Sequence, residues 1–174
     1  MSIVNVEIKA GLAEPDKVRS VLKEGGARFV GTDHQTDTYF NVVNGRLKLR
    51  EGEIENALIY YKRENKPGPK KSDVKLYKSK PDSGLKSLLE ESLGILAVVD
   101  KIREIYFIGN VKFHIDTVEQ LGSFVEIEAI DENGDIGEAK LLKQCENYLY
   151  LFGISDKDLI SVSYSDLILN KNNK

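Results

Sequence analysis

One unit recurs along this sequence: two ionic residues separated by a single apolar one. It appears as Glu7-Ile8-Lys9, Lys48-Leu49-Arg50, Lys101-Ile102-Arg103 and Glu126-Ile127-Glu128, with Arg63 and Asp116 at matching positions of further strand-like segments. Side chains two apart on a β-strand point the same way, so each unit puts ions on one face and oil on the other. Any one such strand reads as half of an ordinary solvated sheet. Taken together they suggest something else, because a solvated face usually mixes Ser, Thr and Gln with assorted charge, whereas here acids and bases arrive in same-face pairs. If the sheet closes with its apolar face outward, six bases (Lys9, Lys48, Arg50, Arg63, Lys101, Arg103) and four acids (Glu7, Asp116, Glu126, Glu128) line a tunnel. That lining is positive by two charges, whereas the whole chain carries −3. Ions removed from water are costly unless paired. A polyanion with its metal would pair both signs: Arg and Lys hold phosphate oxygens, and carboxylates hold Mg²⁺ or Mn²⁺.

The elements that must position these residues follow from periodicity. Residues 3–10 alternate as a strand, with Asn5, Glu7 and Lys9 on one parity and Val4, Val6 and Ile8 on the other. Pro15 and Asp16 open a helix carrying Val18, Val21 and Leu22, stopped at Gly25-Gly26. Strands are expected at Phe29–Thr32, Thr36–Val43, Arg46–Glu51 and Ala57–Arg63, with a hairpin turn at Asn44-Gly45. The stretch Glu64–Asp73, with Pro67-Gly68-Pro69-Lys70-Lys71, reads as a mobile loop whose lysines are solvated or close over a bound anion. Val74–Lys80 resumes as a strand, and a helix follows over Asp82–Gly94. Further strands are expected at Val98–Ile108, Val111–Val118 and Phe124–Asp131, then a helix over Gly137–Phe152 and short helical pieces at Asp156–Ile160 and Tyr164–Leu169. About nine strands and few helices make an α+β domain on a large antiparallel sheet, and sheets of that size curl or close.

Composition bounds the rest. The 174 residues form one domain, 1–174, with no linker-like division. Hydrophobic residues make up 41% and no run has signal-peptide or membrane-spanning length, so a soluble, cytoplasmic protein without a membrane partner is expected. The negative net charge is the wrong sign for nucleic-acid binding through a broad basic surface. A single cysteine, Cys145, forbids an internal disulfide, and with two histidines it leaves little for a zinc site. Any metal would therefore be oxygen-ligated, which points to Mg²⁺ or Mn²⁺. His34 and His114 are candidate proton shuttles, but His114 shares parity with Asp116 and reads rather as a hydrogen-bonding group within the tunnel mouth. Cys145 falls on the apolar stripe of its helix and reads as packing.

Several of these segments, in this order and spacing, resemble the CYTH, or triphosphate tunnel, family. The segments are Asn5-Val6-Glu7-Ile8-Lys9, Gln35-Thr36-Asp37-Thr38-Tyr39-Phe40, Gly45-Arg46-Leu47-Lys48-Leu49-Arg50, Leu58-Ile59-Tyr60-Tyr61-Lys62-Arg63, Gly68-Pro69-Lys70-Lys71-Ser72-Asp73 and Leu121-Gly122-Ser123-Phe124-Val125-Glu126-Ile127-Glu128. The resemblance implies an eight-stranded, closed antiparallel tunnel with helices outside, acting on nucleoside, thiamine or inorganic triphosphates with a divalent metal. It implies Glu7, Glu126 and Glu128 as metal ligands and Lys9, Lys48, Arg50, Arg63, Lys101 and Arg103 as phosphate binders. Arg63 is chosen over Lys62 on its spacing from Arg50. Asp116 would be a further carboxylate near metal or substrate, acting in catalysis with Glu7 and Lys9. The expected activity is metal-dependent triphosphate hydrolysis. The alternatives are a class IV adenylate cyclase, or a triphosphate-binding protein with impaired turnover, in either case a monomer or homodimer. One departure stands out: Asn5 occupies the place of the family's first glutamate and can offer a metal only a neutral carbonyl.

Overall fold

The computed structural model describes residues 3–81 and 84–173. In chain order the elements are β1 (Ile3–Gly11), α1 (Pro15–Glu24), β2 (Arg28–Phe40), β3 (Arg46–Glu51), β4 (Ala57–Arg63), β5 (Lys70–Lys78), α2 (Leu85–Leu93), β6 (Ile95–Ile108), β7 (Val111–Val118), β8 (Gly122–Asp131), α3 (Glu138–Phe152), a 3₁₀ turn (Asp156–Asp158) and α4 (Tyr164–Asn172). The expected start of the second helix at Asp82 lies outside the described residues. The strands form one closed antiparallel barrel in the order β1-β5-β4-β3-β2-β6-β7-β8. Among the described residues no helix is long and apolar enough to cross a membrane.

The sidedness read from alternation decides how the barrel packs. Val6, Ile8 and Ala10 of β1, Val111, Phe113 and Ile115 of β7 and Val125, Ile127 and Ala129 of β8 point outward. They are buried under Val18 and Leu22 of α1 and Leu141, Cys145 and Phe152 of α3. Burying one such aliphatic or aromatic side chain is worth about 1.5–3 kcal/mol, so this layer anchors the domain. Phe113 meets the rings of Tyr148 and Phe152 edge-on, with centroids 4.6 Å and 5.8 Å away. Cys145 is part of this packing, and burial pushes its thiol up to about 12. α2 covers the outer face of β2 and β3 through Phe40, Leu49 and Leu89.

Several boundaries differ from the expectations, most of all in β2, β5 and β6. The segments Phe29–Thr32 and Thr36–Val43 belong to one 13-residue strand, β2, so eight strands form where nine were anticipated. The reason is partnership: β6 begins at Ile95 and runs alongside β2 from Phe40 to Arg28, through irregularities at Phe29/Gly31 and Tyr39/Phe40. β5 begins at Lys70 rather than Val74, which shortens the expected loop. Its first residues lack apolar alternation because their inward positions, Lys70 and Ser72, are polar, and the ladder to β1, from Glu7↔Lys70 to Ile3↔Val74, holds them extended.

Lys70 itself is a correction. It is neither solvated nor in a loop but only 2% exposed, and its Nζ donates to the carbonyls of Lys66 at 3.1 Å and Ser161 at 2.8 Å. Burial, then repulsion from Arg63 and Lys9, lowers its pKa to about 8. A cation whose folded pKa lies below its unfolded value of about 10.4 binds fewer protons when folded, so stability rises with pH between the two values. Lys70→Met should flatten that rise by about 1–2 kcal/mol, measured as urea-denaturation free energy at pH 7 and pH 10.

Candidate active site

The inward positions of the strands enclose a cavity of about 500 Å³. Register brings its charges together. On the β1–β8 ladder Glu7 faces Glu128 and Lys9 faces Glu126, and on β6–β7 Arg103 faces Asp116. Two carboxylates directly opposite each other repel unless cations or hydrogen bonds intervene. Here both are answered: Glu7 pairs with Arg63, and Glu128 accepts a hydrogen bond from the Asn5 amide nitrogen. Arg63 lines the cavity whereas Lys62 is exposed, so spacing chose the inward base.

Glu126 is the junction of the charged wall. It lies 3.1 Å from Lys9 Nζ, accepts from Arg103 Nη2 at 2.9 Å, and is 3.2 Å from His114 Nδ1. Burial alone would raise its pKa. Lys9, then Arg103, outweigh that and hold the carboxyl well below the usual range. The His114 pKa is lowered as well, by burial and then by Arg103, which favours the neutral ring at pH 7, and its buried Nε2 has no partner. Lys9 sits 3.8 Å above the ring of Tyr164 at the start of α4.

Lys101 and Asp116 lie behind this wall rather than on it. Asp116 is fully buried, accepts from Arg103 Nε and Nη2 at 2.7 Å and 2.6 Å, and takes the Tyr164 hydroxyl at 2.7 Å. It thereby fixes the Arg103 fork toward Glu126. Lys101 donates at 2.8 Å to Asp37, which also accepts from Lys48 at 2.9 Å and from Arg50 through two nitrogens at 2.8 Å. Asp37, quoted above only within a motif, is therefore the organising acid of the β2–β3–β6 wall.

Four more ionic residues of the cavity, Glu55, Lys78, Lys112 and Glu132, were not singled out beforehand, and two of them form a pair. Glu55, on the loop between β3 and β4, accepts from Arg50 at 3.1 Å and pairs with Lys112 of β7. Burial opposes its ionisation, yet Arg50 and Lys112 hold it below the usual carboxylate range. Lys112 shares parity with His114 and Asp116, a signal that was present in the sequence. The loop is held by buried Asp33, whose carboxylate accepts the amides of Glu53, Ile54 and Glu55 at 2.7–3.0 Å. A methyl group at Gly52 would meet Asp33 Oδ2 at 2.6 Å. Gly52→Ala is therefore expected to destabilise the fold by about 1–3 kcal/mol, read from the urea midpoint, because the carboxylate cannot retreat without abandoning those amides.

As placed, no three His, Cys, Asp or Glu side chains among the described residues are grouped closely enough to hold a metal. The donor set nonetheless suits a hard cation. Glu7, Glu126 and Glu128 offer only oxygen, and beside Glu128 the buried Asn5 Oδ1 has no hydrogen-bond partner. In the structure Glu7 and Glu126 are occupied by bases and Glu128 by the Asn5 amide, so a cation would gain the first two when those bases turn to another anion.

Comparison with known proteins gives a consistent picture. The family model described as the CYTH domain matches residues 4–164. A candidate adenylate cyclase of Methanocaldococcus jannaschii is 31% identical over 180 residues, covering 95% of this chain and 98% of that protein. Among solved structures, the PH1012 protein of Pyrococcus horikoshii superposes with a TM-score of 0.78 at 22% identity, covering 96% of this chain and 99% of that one. A Hippeastrum protein described as a candidate adenylyl cyclase with a dominant triphosphatase activity superposes with a TM-score of 0.62 at 16% identity, covering 98% and 96%.

Proposed function

The chain belongs to the CYTH family, and from that premise we propose that it is a divalent-metal-dependent hydrolase of triphosphates bound within the barrel. The carrying observation is the interleaving of Lys9, Arg63 and Arg103 with Glu7, Glu126 and Glu128 around one cavity, each base resting on an acid. A metal–triphosphate complex is complementary to both sets: phosphate oxygens take the bases, and the released carboxylates take the cation. Glu7, Glu126, Glu128 and the carbonyl of Asn5 would hold Mg²⁺ or Mn²⁺, which when bound would polarise a phosphoryl oxygen and neutralise developing charge. Lys9, Arg63 and Arg103, with Lys48 and Arg50 from the facing wall, would bind the phosphoryl oxygens and keep the chain in line for attack by water. Asp116 and Tyr164 orient Arg103, and His114, neutral at pH 7, adds no charge to the cavity.

The same grip serves cyclisation of ATP, a second reading favoured by the 31% identical relative and its description as a candidate adenylate cyclase. Incubation with ATP, thiamine triphosphate and inorganic triphosphate, each with Mg²⁺ and Mn²⁺, separates the readings by product. Orthophosphate is expected. Cyclic AMP with pyrophosphate would replace hydrolysis by cyclisation, and binding without product would leave a triphosphate-binding protein.

A further inference from the structure

Glu55 brings an anion of the protein's own to bases that a phosphate would seek. Its Oε2 accepts from Arg50 Nη1 at 3.1 Å and from Gln35 Nε2 at 3.0 Å, and its Oε1 pairs with Lys112. β7 stands four places from β4 in the ring of eight, so this residue of the loop before β4 reaches across the lumen. Three donors, from β2, β3 and β7, thus converge on one carboxylate. A phosphoryl group, with more oxygens and more charge, would satisfy the same donors.

The acids Glu7, Asp37 and Glu126 hold their bases from strands, where the ladders fix them. Glu55 differs. The backbone of its loop is clamped by the three amides on Asp33 and by Asn56, which exchanges hydrogen bonds with Gly52 at 3.2 Å and 2.6 Å. Its side chain is 24% exposed and can turn to solvent with that backbone unmoved. Arg50 would keep Asp37 at two nitrogens, and Gln35 would keep Asp33 at 2.8 Å. Of the three donors, Lys112 is the one left without an acid among the described residues. We propose that Glu55 is a resident stand-in for a phosphoryl group: Arg50, Gln35 and Lys112 form a phosphoryl subsite that a triphosphate gains by expelling the carboxylate. The inference rests on the triphosphate reading above and adds Gln35 and Lys112 to its grip. The resident acid keeps both bases paired in the empty barrel, and it holds the affinity for polyanions below what the bare cradle would give.

The test is calorimetric titration, in Mg²⁺, with inorganic triphosphate whose phosphorus atoms are bridged by methylene groups, so that it cannot be hydrolysed. Glu55→Gln should bind it at least about tenfold more tightly than the wild type, the worth of one charge-assisted hydrogen bond that no longer has to be broken. Adding Lys112→Met to Glu55→Gln should remove most of that gain. Glu132→Gln takes an acid from an exposed position of the same lining and should change the affinity by less than about twofold. Unchanged or weaker binding in Glu55→Gln overturns the proposal, as does an equal gain in Glu132→Gln or a gain that survives the loss of Lys112. Glu55→Ala gives the same reading if the glutamine variant fails to fold. Binding by wild type without a gain in the variants overturns this proposal alone, whereas binding by none of them overturns the triphosphate reading with it. Binding by a Glu55 variant and not by wild type sustains both.

Discussion

Glu126→Gln is expected to lower triphosphate turnover at least about a hundredfold, the cost typical of removing one electrostatic stabiliser from a reaction centre. Glutamine keeps the shape of the side chain and removes the charge on which Lys9, Arg103 and His114 converge. Arg103 retains Asp116, so the wall should stand. Lys9 loses its acid in a setting where burial already lowers its pKa, and so it tends to shed its proton. The phosphate end would then meet fewer charges, and the cation a neutral carbonyl in place of an anionic donor. Product release per enzyme at saturating Mg²⁺, with a circular-dichroism melt as control, measures the effect. Turnover close to wild type in a folded Glu126→Gln protein would remove Glu126 from the chemistry.

Asp37→Asn should show its largest effect in stability. The carboxylate is 1% exposed and holds Lys48, Arg50 and Lys101 together. Breaking such a cluster from one side leaves buried cations without an acid and costs about 3–5 kcal/mol. For a domain of this size that lowers Tm by roughly 10 °C. Lys101, which burial brings down to about 7 against the pull of Asp37, would lose its proton first and soften the loss. The dependence on pH has a definite sign. Burial would raise the Asp37 pKa, but Arg50, Lys101 and Lys48 hold it well below the ordinary value. Its contribution is therefore full above an unfolded pKa of about 3.9 and disappears as pH falls through the folded value. Melts from pH 7 down to pH 3 should run parallel until about pH 3.9 and then begin to draw together for wild type and variant, the gap closing fully only below the folded pKa. Curves that stay parallel throughout would mean that Asp37 matters for shape rather than charge. Added triphosphate should recover part of the lost stability, since it supplies the negative charge the three bases lack.

What could be read in advance, and what could not, follows from range. Alternation is local, so the outward faces of β1, β7 and β8 and the inward set Glu7, Lys9, Lys48, Arg50, Arg103, Glu126 and Glu128 were legible residue by residue. Closure was only inferable, from strand number and from the cost of a charged face left unpaired. Asp37 escaped because an acid in a Thr-rich strand announces nothing until β3 and β6 bring three bases to it. Glu55 sits in a loop, where periodicity says nothing about direction, and it is Asp33, more than twenty positions earlier, that aims it. Lys112 was legible by parity with His114 and Asp116. Lys101 and Asp116 have the correct parity, but depth behind the wall depends on Tyr164 and Asp37, which parity does not report.

The ring of strands also bears on how the molecule reaches its native state. β1, the first strand made, pairs with β5 and β8 at once, Asn5 facing Ser72 on one side and Ile130 on the other. Contacts that far apart along the chain form slowly, because loop closure must be offset before pairing contributes. With β1 undocked, the remaining strands would be an open sheet whose β5 and β8 borders are templates for other molecules. That sheet would also lack Asn5, Glu7 and Lys9. Insertion of one nine-residue segment therefore completes the chemistry and hides the sticky borders together. Substitutions that weaken β1 should accordingly appear as precipitation during expression before they appear as slow enzyme.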